Sequence, residues 1–237
     1  MKPTLLALDT STEACSVALL FNDEVTFFDE IAQRTHTQLI LPMIDQLLQQ
    51  SGIKLTQVDG IVLGRGPGSF TGVRVGVSVA QGLALGADLP LYPVSTLTAM
   101  AQAAYEQQQA QSVLSAIDAR MNEVYFSQLQ YQAVTINGVQ YDHWQTIIEE
   151  QVIAPQNLLS QLTANYENAL KVGTGWAAYP ELSAVSAKES NITLPSAKYM
   201  LSLAKLAYAQ NDSISATALE PVYLRNEVTW KKLPGRE

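Results

Sequence analysis

The sequence predicts an α/β protein of two lobes laid out on similar plans, with mixed sheets. Three observations carry this. The 237 residues are 47% apolar and only 15% charged, where about a quarter charged is ordinary. That composition suits a large core and implies much buried surface, some of it against a partner. The first hundred residues read as three strands followed by alternating helix and strand. A second run of strands then begins near Val113, with no Gly-, Ser- or Pro-rich linker before it. Strands, alternation and strands again divide the chain into an N-terminal lobe over 1–108 and a C-terminal lobe over 109–237.

The opening strands are Leu5–Leu8, Cys15–Phe21 after the polar turn Thr10–Glu13, and Val25–Asp29 after Asn22-Asp23. Gln33–Ser51 has helical spacing through Ile40, Ile44, Leu47 and Leu48, with Gly52 as its stop. Gly60–Gly64 is a buried strand, and the loop Arg65–Phe70 leads into a small-residue helix from Thr71 to Gly86. Leu91–Val94 is a strand, and Ser95 caps the helix that follows. In the second half Val113–Ile117 and Val124–Leu129 are strands, Asn137-Gly138 is a two-residue hairpin signal, and Pro155 opens a helical segment. Leu170–Gly173 is strand-like. Ser196–Ala209 is a helix with Met200, Leu203, Leu206 and Ala207 along one side.

Composition excludes several function classes. No apolar run approaches the roughly 20 residues of a membrane span. Asp9 and Glu13 interrupt the one stretch that resembles a signal peptide. A single cysteine, Cys15, allows no internal disulfide and fits a reducing compartment, so a cytoplasmic protein is expected. Among Ala14, Val17 and Leu19 it reads as a small core residue. The net charge of −8 opposes unaided binding to nucleic acid. Between Arg74 and Lys171 the only basic residue is Arg120; Arg225, Lys231, Lys232 and Arg236 make the tail locally basic. RNA contact is therefore expected to be indirect or through that tail.

Two segments invite a chemical reading. In Gly64–Arg74 four glycines and the hydroxyls of Ser69 and Thr71 stand at a strand-to-helix turn, where backbone N–H groups of Gly66 and Gly68 can face an anion. Without a lysine it is no Walker loop, and the glycine spacing fails the dinucleotide fingerprint. A tight turn that only caps a helix explains it equally well. Asp9-Thr10-Ser11-Thr12, closing the first strand, suits a metal–phosphate group, or an Asx turn that satisfies its own backbone. Gly173-Thr174-Gly175 is a weaker nucleotide-facing candidate. The two histidines, His36 and His143, lie far apart with no acidic or cysteine cluster at ligand spacing. No metal site, catalytic residue or nucleophilic pair is expected in this chain.

Asp9-Thr10-Ser11-Thr12, Thr35-His36-Thr37 leading to Leu41-Pro42, Gly66-Pro67-Gly68-Ser69-Phe70-Thr71-Gly72, Asp118-Ala119-Arg120 with Glu123-Val124-Tyr125, and Pro221-Val222-Tyr223-Leu224-Arg225 together resemble the TsaB (YeaZ) family. Val73 stands where leucine or isoleucine is expected. The resemblance implies an actin/Hsp70/sugar-kinase-like fold and a role in forming threonylcarbamoyl-adenosine in tRNA beside the anticodon. It implies a heterodimer with a TsaD-like transferase, whose metal sits on a His-x-x-x-His pair that this chain lacks. A TsaE-like ATPase would join the larger complex, and a homodimer is possible when the chain is alone. ATP and a divalent metal belong to those partners, and this chain would bind neither. A small enzyme of the same fold, a kinase of small molecules or a metallopeptidase, is the alternative.

Gly72, Gly76, Ala80 and Ala84 recur every four residues and form one stripe of a helix, flanked by Val73 and Val77. Periodicity slightly favours a stripe packed on the protein's own sheet. The resemblance favours a partner interface centred there and completed by Leu39, Met43 and Gln46 of the preceding helix.

Overall fold

The computed structural model describes residues 2–32, 34–163 and 166–225. The opening strands Leu5–Asp9 (β1), Ala14–Phe21 (β2) and Glu24–Ile31 (β3) form an antiparallel meander. The helix His36–Ser51 (α1) follows, and then Gly60–Gly64 (β4), which pairs parallel with β1. The helix Phe70–Ala87 (α2) crosses to Leu91–Val94 (β5), parallel to β4. The sheet order is β3-β2-β1-β4-β5. Strands β1 and β4 are buried along their whole length, as their unbroken apolar runs require. The first helix starts at His36, later than expected, because Arg34 holds a left-handed φ of 78° that no helix can include. Gly52 and Asp88, both left-handed, end α1 and α2.

The helix Thr96–Gln108 (α3), capped by Ser95, leads into the second sheet. Ser112–Asp118 (β6) and Val124–Tyr131 (β7) are antiparallel. The short hairpin Val134–Ile136 (β8) and Val139–Tyr141 (β9) turns on Asn137 and Gly138, both at positive φ. Trp144–Ile153 (β10) then pairs with β7. Leu170–Val172 (β11) joins β6 in parallel, after the short helix Pro155–Leu158 (α4) and before Gly175–Ala178 (α5). The order β10-β7-β6-β11 repeats the first four positions of the first sheet, so the expected likeness of the lobes holds.

The helices do not respect the predicted boundary at residue 108. The helix Ala197–Gln210 (α6) returns from the second half to cover the first sheet, its Ala197, Met200, Leu201 and Ala204 packing on Leu5, Ala7, Ala18 and Val62. Conversely α3, from the first half, covers the second sheet with Leu97, Met100, Ala101 and Ala104 against Val113, Leu129 and Val172. Helices α3 and α6 meet between the sheets. Lying between layers, α6 buries Leu201 and Ala204 rather than the predicted Leu203 and Ala207. Helices α1 and α2 cover the outer face of the first sheet.

That last layer corrects the expected partner stripe. Gly72, Val73, Gly76, Val77, Ala80 and Ala84 are all buried against the chain's own sheet, as is Met43 of α1. A Cβ on Gly72 would run into the carbonyl of Thr10, and one on Gly76 would lie 2.8 Å from Thr10 Oγ1. These glycines let α2 approach β1 and the turn that follows it. Leu39 is half-buried on the same core, and of the expected residues only Gln46 is exposed. Among the described residues, no helix is long and apolar enough to cross a membrane.

Candidate functional site

Both sequence motifs meet at one place. Asp9 ends β1, and the turn Thr10–Glu13 folds beneath the glycine-rich loop that follows β4. Asp9, Thr10, Ser11 and Thr12 are all buried. Asp9 Oδ1 accepts from the Ser11 N–H at 3.1 Å and from Ser11 Oγ at 2.9 Å, an Asx turn. Thr10 Oγ1 donates to the Gly72 carbonyl at 2.7 Å. The Ser69 N–H donates to the Ser11 carbonyl at 2.6 Å, and Thr96 Oγ1 bonds Ser11 Oγ at 3.1 Å. His36 Nε2 bonds the Thr12 carbonyl at 2.8 Å and ties the start of α1 to the same turn. In the loop itself Ser69 accepts from the Gly72 N–H and caps α2. Gly68 is required because a Cβ there would strike the Ser11 backbone. Thr71 is exposed on the first turn of the helix, and Gly66 is buried beside Val73.

Asp9 Oδ2 is buried with no hydrogen-bond partner among the described residues. Gly64 explains how it fits, since any Cβ at Gly64 would overlap this oxygen. Burial pushes the Asp9 carboxyl up to about 7, against the opposing bonds from Ser11. Its neighbour Cys15 is fully buried, and its thiol is pushed up to about 12 first by burial and then by Asp9, which leaves it a core residue as expected. The residues do not fit a metal–phosphate group. The one carboxylate is sealed, the hydroxyls of Thr10 and Ser11 bond within the chain, and the loop above them packs directly on the turn.

A second wall is built in the other lobe. Asp118 ends β6 and accepts from Tyr179 OH at 2.7 Å, from the Arg120 N–H at 2.8 Å and from the Arg120 guanidinium at 2.9 Å. Thr174 Oγ1 accepts from the Asp118 N–H at 3.2 Å, and Gly173 and Gly175 pack on the backbone of Ala116. So Gly173-Thr174-Gly175 buttresses β6. His143 is exposed beside the hairpin, far in role from this wall.

Three connections between the lobes escaped the sequence reading. Glu150 of β10 pairs with Arg65 at 3.0 Å and accepts from Ser95 Oγ, which locks the second sheet to the glycine-rich loop. The segment Pro221–Arg225 straps across both walls: the Val222 N–H donates to the Arg65 carbonyl at 3.1 Å, and Arg225 Nε donates to Glu123 at 3.0 Å. Arg225 also reaches the carbonyls of Ala119 and Arg120. It is therefore an anchor of the strap, not a free cation of the basic tail; Lys231, Lys232 and Arg236 lie outside the described residues. The third is the ring cluster of Phe70 and Tyr223, 6.3 Å apart, with the Arg74 guanidinium between them. A carboxylate inside the apolar run around Glu150, and the Pro-Val-Tyr-Leu-Arg motif, were the available signals.

A family model described as TsaD, tRNA N6-adenosine threonylcarbamoyltransferase, matches residues 27–232. The tRNA threonylcarbamoyladenosine biosynthesis protein TsaB of Haemophilus influenzae is 60% identical over 99% of this chain and 98% of its own length. The chain belongs to the TsaB family. The TsaB of Escherichia coli is 45% identical over 98% of this chain and 99% of its own length. The solved structure of YeaZ from Pseudomonas aeruginosa superposes with a TM-score of 0.83 at 40% identity, covering 94% of this chain and 100% of that one. The two lobes are those of the actin/Hsp70/sugar-kinase-like fold that the residues of TsaB imply. In that frame the Asp9 turn and the Asp118 turn occupy corresponding ends of the two sheets.

Proposed function

We propose that this chain serves tRNA threonylcarbamoyl-adenosine formation as a non-catalytic partner of a TsaD-like subunit, with nucleotide and metal chemistry left to TsaD-like and TsaE-like components. One observation carries the reading: Asp9, the carboxylate best placed to hold a metal–phosphate group, is sealed by Gly64 and by the loop packed on Ser11. Membership of the TsaB family supports the pathway, because the relatives are named for it.

The partner surface is reassigned. Helix α2 carries a second small-residue row on its outward side: Ser78, Gly82 and Gly86 are exposed, and a Cβ on Gly82 or Gly86 would meet nothing. Glycine inside a helix costs about 1 kcal/mol relative to alanine, and here the chain's own packing gives no reason for it. Leu85 of the same helix is 67% exposed, and Leu41 of the neighbouring α1 is 49% exposed. A helix of the TsaD-like subunit, or of a second copy, laid along Gly82 and Gly86 would use both features.

Two substitutions separate the rows. Ala80→Arg places a charge in the core, and an insoluble or unfolded product is expected. Gly82→Arg should stay folded by circular dichroism and lose its co-elution with the TsaD-like subunit and support of tRNA modification. A folded Gly82→Arg that still binds and supports the partner removes this face. ATP turnover by the isolated chain that Asp9→Ala abolishes would defeat the non-catalytic reading.

A further inference from the structure

Five arginines fall within the described residues, Arg34, Arg65, Arg74, Arg120 and Arg225. Four of them converge on one edge, where the glycine-rich loop, the strap and the β6–β7 turn come together. Three are paired there: Arg65 with Glu150, Arg120 with Asp118 and Arg225 with Glu123. Arg74 has no carboxylate partner among the described residues. Its guanidinium lies 3.2 Å from the Phe70 ring centre and 4.8 Å from that of Tyr223, and it donates to the Phe70 carbonyl at 3.1 Å.

The rings belong to no core. Phe70 is 64% exposed and Tyr223 48%. Two residues beyond Tyr223, about 7 Å of extended chain, Arg225 touches Met121 Sδ at 3.5 Å. Met121 is 59% exposed, and the side chain of Arg120 84%. Arg120, Met121 and Asn122 all hold left-handed φ, near 60°, a conformation that costs each of these residues energy and here thrusts the first two outward. The surface thus joins two exposed rings, a guanidinium plane stacked against them with no carboxylate partner among the described residues, a thioether and an exposed second arginine. Stacking faces combined with arginine are how proteins hold unpaired bases and the adjoining phosphates. The net charge of −8 over the whole chain weighs against RNA binding on the rest of the molecule.

We propose that Phe70, Arg74 and Tyr223 form a stacking platform for an unpaired base of the RNA substrate, with Arg74 and Arg120 beside its phosphates. This rests on the reading above, and it moves the expected RNA contact from the basic tail to the edge where the two lobes meet.

The test uses the full chain in complex with its TsaD-like subunit, unmodified substrate tRNA, and Phe70→Ala, Tyr223→Ala, Tyr223→Phe, Arg74→Ala and Arg74→Lys. Removing either ring should weaken tRNA binding and raise its KM by about 5- to 100-fold, with assembly intact by size exclusion. Tyr223→Phe should behave as wild type. Arg74→Ala should lower the salt dependence of log Kd by about 0.7, whereas Arg74→Lys should keep that slope but lose affinity. Ring variants with unchanged tRNA Kd and KM overturn the proposal. So does loss of assembly with the TsaD-like subunit, which would make the patch a protein contact, or ring-dependent binding of AMP without any effect on tRNA. If the wild-type complex fails to form or to modify tRNA, the proposed function fails instead. Ring-dependent tRNA binding by the chain alone would still stand as a separate result.

Discussion

The two lobes solve the same structural problem in opposite ways at the ends of their first strands. In the first, Asp9 turns inward, and Gly64 on the neighbouring strand vacates the space its carboxylate fills. In the second, Gly173 and Gly175 make room for the backbone of Ala116, and Asp118 projects beyond them into a set of donors. One carboxylate is sealed, with an oxygen unpartnered among the described residues; the other is 17% exposed and engaged by three donors. A shared strand order therefore fixes where a carboxylate stands but not what it can do. Which glycine faces which atom decides that.

The sealed carboxylate should leave the larger mark, in the dependence of stability on pH. Asp9 has a folded pKa of about 7 against an ordinary 3.8. Between those values the folded state holds more protons than the unfolded one, so stability falls as pH rises through that window and is level above it. The group's full contribution is about 4 kcal/mol. Urea unfolding at pH 5 and pH 8 checks this: Asp9→Asn should flatten the difference between the two. An Asn variant with an unchanged pH difference would mean that Asp9 is solvated or paired after all.

Next in size is the contact that seals it. Gly64→Ala should cost about 3 kcal/mol, because the added carbon overlaps Asp9 Oδ2 and the surroundings are close-packed. In an Asp9→Ala background most of that cost should vanish, a coupling of more than 1 kcal/mol in a double-mutant cycle. Gly175→Ala, whose Cβ would sit 3.1 Å from Ala116 atoms, should cost about 1 kcal/mol and show no coupling to Asp118→Ala. Equal coupling in both lobes would erase the distinction drawn between them.

Much of this was legible in the sequence. Ser95 caps the helix it precedes, the Asn137-Gly138 hairpin forms, and both motif turns lie at strand ends. What was missed has physical reasons. Strand β10 carries register shifts between Thr146 and Ile148 and between Ile148 and Gln151, which break the period-two pattern that reveals a strand. The row Gly72, Gly76, Ala80 and Ala84 was visible, but periodicity finds a face without saying which side it meets. The row Gly82 and Gly86 on the other side was the one without an internal partner. The exchange of α3 and α6 between lobes leaves no local trace, because each helix carries only the amphipathic pattern that any sheet would accept. Glu150, Arg225 and Tyr223 act across 85 or more residues in the pairings Arg65–Glu150 and Glu123–Arg225 and in the stack with Phe70, distances that single-sequence patterns do not reach.

The smallest expected effect belongs to the open carboxylate. Asp118→Ala removes the acceptor of Tyr179 OH and of the Arg120 N–H, together with an ion pair to a guanidinium that is 84% exposed. The ion pair contributes little in water, and each hydrogen bond about 1 kcal/mol or less where solvent can replace the lost partner. The turn keeps its other supports: the Ala119 N–H on the Glu123 carbonyl at 2.9 Å and Arg225 on the carbonyls of Ala119 and Arg120. A global cost of about 1 kcal/mol is therefore expected by urea unfolding. Amide exchange should quicken only at Arg120, Met121, Asn122 and Glu123, whose left-handed residues lose one of their restraints. Asp9→Ala should differ in sign at pH 8, since deleting a buried, half-unpartnered carboxylate removes a desolvation cost that outweighs its two bonds to Ser11. A stabilised Asp9→Ala beside a mildly destabilised Asp118→Ala is the expected pair. The reverse order would mean that the second lobe, not the first, holds the constrained carboxylate.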